Sequence, residues 1–315
     1  MSWNIKPLLR RCLESIGEGA VGISYEVFVV DNASRDGSAE MVRNDFPEVH
    51  LISNSENRGF ASANNQALRL AGGRHVILLN PDTVIHRGSL DTLVQFMDDH
   101  PEAGAAGCRL LNADGSVQRS TRKIPTFSTM LYDNTLLGKL FYFRRKVKDY
   151  KMRDSSFDRV EEVDATSGAA LLVRKSVFDE IGLMDEGYFM FLEEVDLCRR
   201  IWAKGYKIYF VPGAVITHLG GESRRQNPEI RLVIQRSLMR YFTKIEGPGK
   251  TRLFKLLYKP LFIMSLLYGL VFDLLYVLKY LTIKKDLLRW KKRITRVHET
   301  FYFFRKNLKD FLFNL

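Results

Sequence analysis

Three stretches of the 315-residue chain place carboxylates where they could do chemistry. In the first, Val-Val-Asp-Asn-Ala-Ser-Arg-Asp-Gly-Ser over 29–38, Asp31 closes an apolar run and small, turn-forming residues then start a helix. A carboxylate there can accept the imide N–H of a uracil or thymine, with Ser38 and nearby backbone N–H groups capping the helix. Asp31, Asn32 and Asp36 would serve equally as plain loop and cap residues. In the second, Leu-Leu-Asn-Pro-Asp-Thr over 78–83, Asn80 and Asp82 stand two apart and share a face of extended chain. Hard oxygen donors of this kind suit Mg²⁺ or Mn²⁺ with substrate phosphates completing the shell, although Asn-Pro-Asp is also a turn sequence. In the third, Phe-Leu-Glu-Glu-Val-Asp over 191–196, Glu193, Glu194 and Asp196 open a helix. The helix dipole favours acids in a first turn. Following the aromatic run 188–191, they also make a partly desolvated site suited to proton abstraction.

The elements that must position these acids follow from the apolar pattern. Short apolar runs alternate with helical periodicity from Tyr25 to about 111, the signature of an α/β domain with a largely parallel sheet. Strands are expected at 25–30, 49–53, 75–79 and 103–111, and helices at 6–15, 38–44, 61–71 and 88–98. The stretch 112–163 carries an Asp114-Gly115 turn signal but little periodicity and reads as loops and short elements. Order resumes with an apolar run at 169–173, helices near 175–181 and 193–204, and apolar runs at 207–211 and 214–217. The first two acid stations therefore sit at carboxyl ends of strands, where open α/β sheets bind ligands. Such a domain begins with a buried strand feeding its first helix, yet none precedes Trp3 and Asn4; a start further upstream, or a fragment, is the expectation.

With these stretches goes a resemblance. Trp3 and Asn4, DNASRDGS at 31–38, NRGFASANNQAL at 57–68, LLNPDT at 78–83, GAALLVRKSVFDEIGLMDEGYFMFLEEVDLCRR at 168–200 and HLGGES at 218–223 together resemble family 2 glycosyltransferases of the GT-A fold, close to the rhamnosyltransferase-like branch. The resemblance implies a Rossmann-like, mostly parallel sheet flanked by helices, forming a catalytic domain over 1–230. It implies that Asp31 holds the pyrimidine of a UDP- or dTDP-linked sugar, with Asn4, Asn32, Ser34, Asn57, Arg58, Gly59 and Asn64 around the nucleotide and Asn80 and Asp82 at the diphosphate. Asp82 would ligate the Mg²⁺ or Mn²⁺. The family's Asp-x-Asp reads Asn80-Pro-Asp82 here, a weaker first ligand and a loosely held metal. The acid pair reads Glu193-Glu194, with Glu194 the general base and Glu193 the runner-up. Gly168, Asp185, Glu186 and Asp196 fall on the acceptor side, and Ser223 and Arg224 on a loop closing over the donor. His218, ending an apolar run before Gly220 and Gly221, is by resemblance a metal or diphosphate ligand and otherwise a structural histidine. The implied reaction inverts the anomeric centre of a sugar such as rhamnose as it moves to a hydroxyl of a lipid-linked polysaccharide acceptor. The alternative is a catalytically inactive membrane-bound module that binds a nucleotide-sugar.

Charge sharpens the setting. Residues 231–315 hold 19 Lys and Arg against 5 Asp and Glu, whereas the first 230 are nearly neutral at 29 against 31. A nucleic-acid reader would spread its basic footprint over the folded module, so no nucleic-acid partner is expected. A basic tail rich in Leu, Phe and Tyr instead suits an anionic membrane surface, here the cytoplasmic face. Its run 261–278 would make a helix of about 27 Å, barely spanning, interrupted by Asp273 and flanked by basic residues on both sides, so an in-plane helix is favoured over a crossing. A buried hairpin is the alternative. Leu287, Trp290, Ile294, Val297, Phe301, Phe304, Leu308, Phe311 and Leu315 then form one helical stripe. Three scattered cysteines support neither a disulfide framework nor a thiolate metal site.

Overall fold

The computed structural model describes residues 1–152, 155–220, 229–283 and 287–315. The chain divides into two units, Met1–Ile124 with Asp149–Arg225, and Pro125–Lys148 with Gln226–Leu315. The C-terminal unit thus takes in 125–148 besides the basic tail.

The first unit runs α1 (Lys6–Gly19), β1 (Phe28–Asn32), α2 (Ser38–Asp45), β2 (His50–Asn54), α3 (Phe60–Leu70), β3 (His75–Leu79), β4 (Thr83–Ile85), α4 (Ser89–Asp99), β5 (Ala103–Leu111), β6 (Val117–Gln118) and β7 (Thr121–Arg122). After α5 (Phe127–Asp133) and α6 (Phe141–Tyr150) come β8 (Glu161–Glu162), β9 (Ala165–Thr166), β10 (Ala170–Arg174), α7 (Lys175–Ile181), α8 (Glu193–Ala203) and β11 (Lys207–His218). The apolar runs became the strands, within a residue or three at each end. Among its described residues, the stretch read as loops over 112–163 holds three two-residue strands, two α-helices and a short 3-10 helix, too short for periodicity to register.

The main sheet has the order β3-β10-β5-β11-β4, with β6 added to β5 and β8 to β11. It is mixed: β5 and β11 are parallel, while β10 runs against both β3 and β5, and β4 against β11. Hydropathy cannot distinguish the two directions, because a strand covered on both faces is apolar throughout either way. Alternation assigns the faces. Ala106, Cys108, Leu110, Leu172 and Ile216 join Leu9, Leu13, Leu93 and Met97 on one side. Ala105, Leu171, Val173 and Phe210 join Phe178, Leu197 and Ile201 on the other. The carboxyl ends of β3, β5 and β11 and the start of β10 share one rim, which therefore gathers Asn80, Asn112, His218 and Ala169.

β1 and β2 form a separate parallel pair. On its other edge β1 pairs with Ser2, whose N–H donates to the Val30 carbonyl (2.7 Å) and whose carbonyl accepts from Asn32 N–H (2.8 Å). A cavity of about 490 Å³ lies against Phe28 and Val29 of β1 and all five residues of β3. Met1 lines it, and burial lowers the pKa of the α-amino group to about 6.

In the second unit, α9 (Ile230–Ile283) bends at Gly247, whose φ of 78° breaks the helical path just before Pro248. α10 (Leu287–Tyr302) and α11 (Leu308–Phe313) fold back onto it. Phe242, Phe254, Tyr258 and Phe262 stack in series with centroids 4.2 to 5.6 Å apart. Asp273, the charge interrupting the apolar run, is buried and paired with Arg293 and Arg296. The single stripe expected along 287–315 does not persist. A π-helical turn over Phe303–Asn307 rotates the face, so that Phe303 and Phe311 pack on Phe262 while Leu287, Ile294 and Phe301 are exposed.

Candidate active site

Asp31 ends β1, and its Oδ2 accepts the backbone N–H of Ser34 (3.0 Å). Its Oδ1 is buried with no hydrogen-bond partner among the described residues, an acceptor left over for a donor such as an imide N–H. Asn32, fully buried, organises the adjoining loop. Its Nδ2 donates to Asn57 Oδ1 (3.1 Å) and the Gly59 carbonyl (3.0 Å), and its Oδ1 accepts from Asn54 Nδ2 (2.9 Å). Asn4 closes the opposite side: its N–H donates to Ser34 Oγ (2.9 Å), and its Oδ1 accepts from Arg35 N–H (2.7 Å). Asn4 with Ser34, and Asn32 with Asn57 and Gly59, are thus two hydrogen-bonded groups near Asp31. Arg58 is half exposed, 3.9 Å from Glu56. Asn64 turns the other way, donating to the Phe60 carbonyl (2.8 Å) and lining the cavity between β1 and β3.

The second station forms where β4 pairs with the end of β11, His218 facing Thr83. Leu219 N–H donates to the Asp82 carbonyl (2.9 Å), and Thr83 Oγ1 to the Asn80 carbonyl (2.7 Å). The buried Cys12 thiol lies beneath this turn, 3.4 Å from Thr83 Oγ1. His218 Nε2 stands 3.3 Å from Asp82 Oδ1 and 3.4 Å from Asn80 Nδ2. Carboxylate, imidazole and amide oxygen are donors a hard dication accepts. Among the described residues no three His, Cys, Asp or Glu side chains converge, so this pair with Asn80 is what the described residues offer such an ion.

The third station is strained. Phe191 and Leu192 occupy the left-handed region at φ 71° and 67°, which costs non-glycine residues on the order of 1–3 kcal/mol each. The turn delivers Glu193 and Glu194 to the first positions of α8. Glu193 is buried, and its Oε2 has no partner among the described residues. Burial, and then the neighbouring Glu194 charge, hold its pKa well above the usual carboxylate range. Glu194 is only half buried and packs beside Gly168, where an added Cβ would stand 3.3 Å from Glu194 Cβ. Burial lowers the pKa of the nearby Arg122 guanidinium, but the charges of Glu194 and then Tyr150 outweigh it and raise the pKa overall.

Backbone contacts join the stations. Asn80 N–H donates to the Ala169 carbonyl (2.9 Å), which brings the Asp82 turn against Gly168 and hence Glu194. Phe60 N–H donates to the Phe189 carbonyl (2.6 Å), tying the Asn57 loop to the aromatic run before the acids. The other acids are engaged elsewhere. Asp196 pairs with Arg200 (3.0 Å), whose guanidinium also binds the carbonyls of Ile181, Gly182 and Leu183. Asp185 accepts from Gly187 N–H within its turn (3.0 Å), and Glu186 clamps Asn65 and Arg69 of α3. Ser223 and Arg224 lie outside the described residues.

The profile of Glycosyl transferase family 2 matches residues 2–182. This chain is a family 2 glycosyltransferase. It is 32% identical over 238 residues to an N-acetylglucosaminyl-diphospho-decaprenol L-rhamnosyltransferase of Mycobacterium tuberculosis, covering 72% of this chain and 76% of the relative. It is 27% identical to the rhamnosyltransferase WbbL of Escherichia coli over 53% of this chain and 63% of that one. Among solved structures, the mannosyltransferase PcManGT of Pyrobaculum calidifontis shares the fold at a TM-score of 0.54 and 19% identity, covering 98% of this chain and 85% of that one. The glycosyltransferase fold is thus GT-A, in its mixed-sheet form. Sequence reasoning missed two residues at this site, Gln118 and Arg122. Both sit on two-residue strands after the Asp114-Gly115 turn, and that turn was the one signal pointing to them.

Proposed function

We propose that this glycosyltransferase moves a hexose such as rhamnose, with inversion, from a pyrimidine nucleoside diphosphate to a hydroxyl of a lipid-linked glycan at a membrane surface. The observation carrying it is the half-buried Glu194 beside a buried Glu193 whose Oε2 has no partner among the described residues, held through Gly168 and Ala169 against the turn bearing Asn80 and Asp82. In the inverting step Glu194 takes the proton of the acceptor hydroxyl as its oxygen bonds to the anomeric carbon. Base catalysis of that kind contributes roughly 10²–10⁴-fold. Glu193, with its raised pKa, stays neutral behind it and lets Glu194 carry the pair's charge. Asp31 Oδ1 accepts the imide N–H of the base. Asp82, His218 and Asn80 would hold Mg²⁺ or Mn²⁺, which when bound stabilises negative charge on the departing diphosphate.

The second unit supports the membrane setting. α9 is long and apolar enough to cross a membrane by length and composition. Leu253, Leu256, Met264, Leu267, Val271, Leu275 and Leu278 are exposed along it, opposite the packed aromatic series. An exposed apolar face on a basic unit suits the interface of an anionic cytoplasmic leaflet. The test is transfer from radiolabelled UDP- and dTDP-sugars to polyprenyl-diphosphate-linked N-acetylglucosamine in anionic vesicles, with Mg²⁺ or with chelator. Labelled lipid product that chelator suppresses is expected. Product formed equally under chelator removes the metal from the reading, and no product from any donor removes the reaction.

A further inference from the structure

Beside the Asp82 turn a line of hydrogen bonds runs through the hairpin joining β5 to β6 and ends on His218. Asp114 Oδ1 accepts from Ser116 N–H (3.0 Å) and Ser116 Oγ (2.5 Å). Ser116 Oγ accepts from Asn112 Nδ2 (2.9 Å), Asn112 Oδ1 accepts from Gln118 Nε2 (3.0 Å), and Gln118 Oε1 lies 2.7 Å from His218 Nδ1. Backbone bonds hold the hairpin rigid, from Asn112 N–H to the Ser116 carbonyl (2.8 Å) and from Gly115 N–H to the Asn112 carbonyl (3.0 Å).

Chemistry fixes the direction of this line. An ionised carboxylate only accepts, and the Ser116 bond holds the Asp114 pKa below its usual value. The Ser116 hydroxyl spends its single proton there, so it must accept from an Asn112 NH₂ group. That turns the Asn112 carbonyl to the Gln118 NH₂, and leaves the Gln118 carbonyl facing His218. The proton between them belongs to His218 Nδ1. The ring's other nitrogen, Nε2, then presents its lone pair toward Asp82 Oδ1 and Asn80.

We propose that Gln118, oriented by the 112–118 hairpin, is a positioning residue that sets His218 in the Nδ1–H tautomer and so presents Nε2 as a cation ligand beside Asp82. The proposal rests on the reading above that Asp82 and His218 share a divalent ion. A ligating histidine commonly has its other ring nitrogen fixed by such a partner, whose loss typically costs 10- to 100-fold in metal affinity.

The test uses the full chain labelled with ¹⁵N-histidine, without metal, at a pH where the rings are neutral. Long-range ¹H–¹⁵N correlation reads which ring nitrogen bears the proton, and His218→Asn identifies its signal among the six histidines. The proton is expected on Nδ1 in the wild type and in Gln118→Glu, which keeps an acceptor, and shared between the nitrogens in Gln118→Leu. Mn²⁺ binding followed by electron paramagnetic resonance should weaken 10- to 100-fold in Gln118→Leu, return to within a few-fold of wild type in Gln118→Glu, and weaken less in Asp114→Ala. A wild-type proton on Nε2, or a tautomer indifferent to Gln118→Leu, overturns the proposal. Mn²⁺ affinity unchanged in His218→Asn overturns the shared-ion reading instead, and the arm's purpose with it.

Discussion

The Asp31 and Glu194 stations of the candidate site are built on opposite terms. On the Asp31 side, polar groups satisfy one another: Asn32 bonds Asn57 and Asn54, and Asn4 bonds Ser34, with one Asp31 carboxylate oxygen left over among the described residues. On the Glu194 side, two consecutive left-handed residues lead into a buried carboxyl whose Oε2 has no partner among the described residues, with the Arg122 guanidinium nearby. The first arrangement suits recognition, since preformed hydrogen bonds cost nothing to reorganise when a ligand arrives. The second suits reaction, because strain and perturbed acidity are stored where a proton must move. The difference teaches that substitutions on the two sides should separate binding from turnover.

The largest effect tests the reactive side. Glu194→Gln should lower kcat by 10²–10⁴-fold, the usual contribution of a general base, while the dissociation constant for the nucleotide-sugar, measured calorimetrically, stays within a few-fold. An equal loss in donor affinity would mean that the acid pair belongs to the recognition side and the contrast is false. Asp31→Ala should do the reverse. Loss of a buried acceptor aimed at a base is worth on the order of 1–3 kcal/mol, roughly a 10- to 100-fold weaker donor, with kcat at saturation little changed. A collapse of kcat at saturating donor would count against it.

A smaller effect tests the seam between the sides. Gly59 has φ 80°, and a Cβ there would run into the Phe189 carbonyl and ring, so Gly59→Ala must shift either the Asn57 loop or the chain leading to Glu193. Thermal melting should drop by several degrees, with donor affinity and kcat both reduced severalfold, because this one residue touches both halves. A variant that loses only affinity would show the seam to be part of the recognition side alone.

What the sequence made legible follows the same division. β1, β3, β5 and β11 were visible because each is a buried apolar run bounded by turn residues, and the acids at their ends followed from sheet logic. Strand direction was not, since β10 buried on both faces looks the same run either way. Nor were Gln118 and Arg122, held by pairings only two residues long, Gln118 with Leu110 across a hairpin and Arg122 with the distant Ala165. The long charged and amide side chains of Asp196, Glu186 and Asn64 illustrate the converse: their types suggested a site, while contacts with Arg200, Arg69 and the Phe60 carbonyl employ them in holding helices.

The smallest effect isolates what the reactive side costs the fold. Glu193 keeps its proton in the folded chain well above the usual value of 4.5, whereas the unfolded chain releases it near 4.5. Over that window the folded state binds more protons, so this residue makes stability fall as pH rises from about 4.5 toward the raised folded value, and nothing further is lost above it. Glu193→Gln removes the titrating proton while keeping a neutral side chain of the same shape. The variant's urea midpoint should therefore nearly match the wild type near pH 4.5 and exceed it increasingly toward neutral pH. Turnover should fall only severalfold if Glu193 backs Glu194 rather than replacing it. Parallel pH profiles for the two proteins would show that Glu193 is not held protonated, and that the contrast between a relaxed and a strained side of the candidate site does not extend to its buried acid.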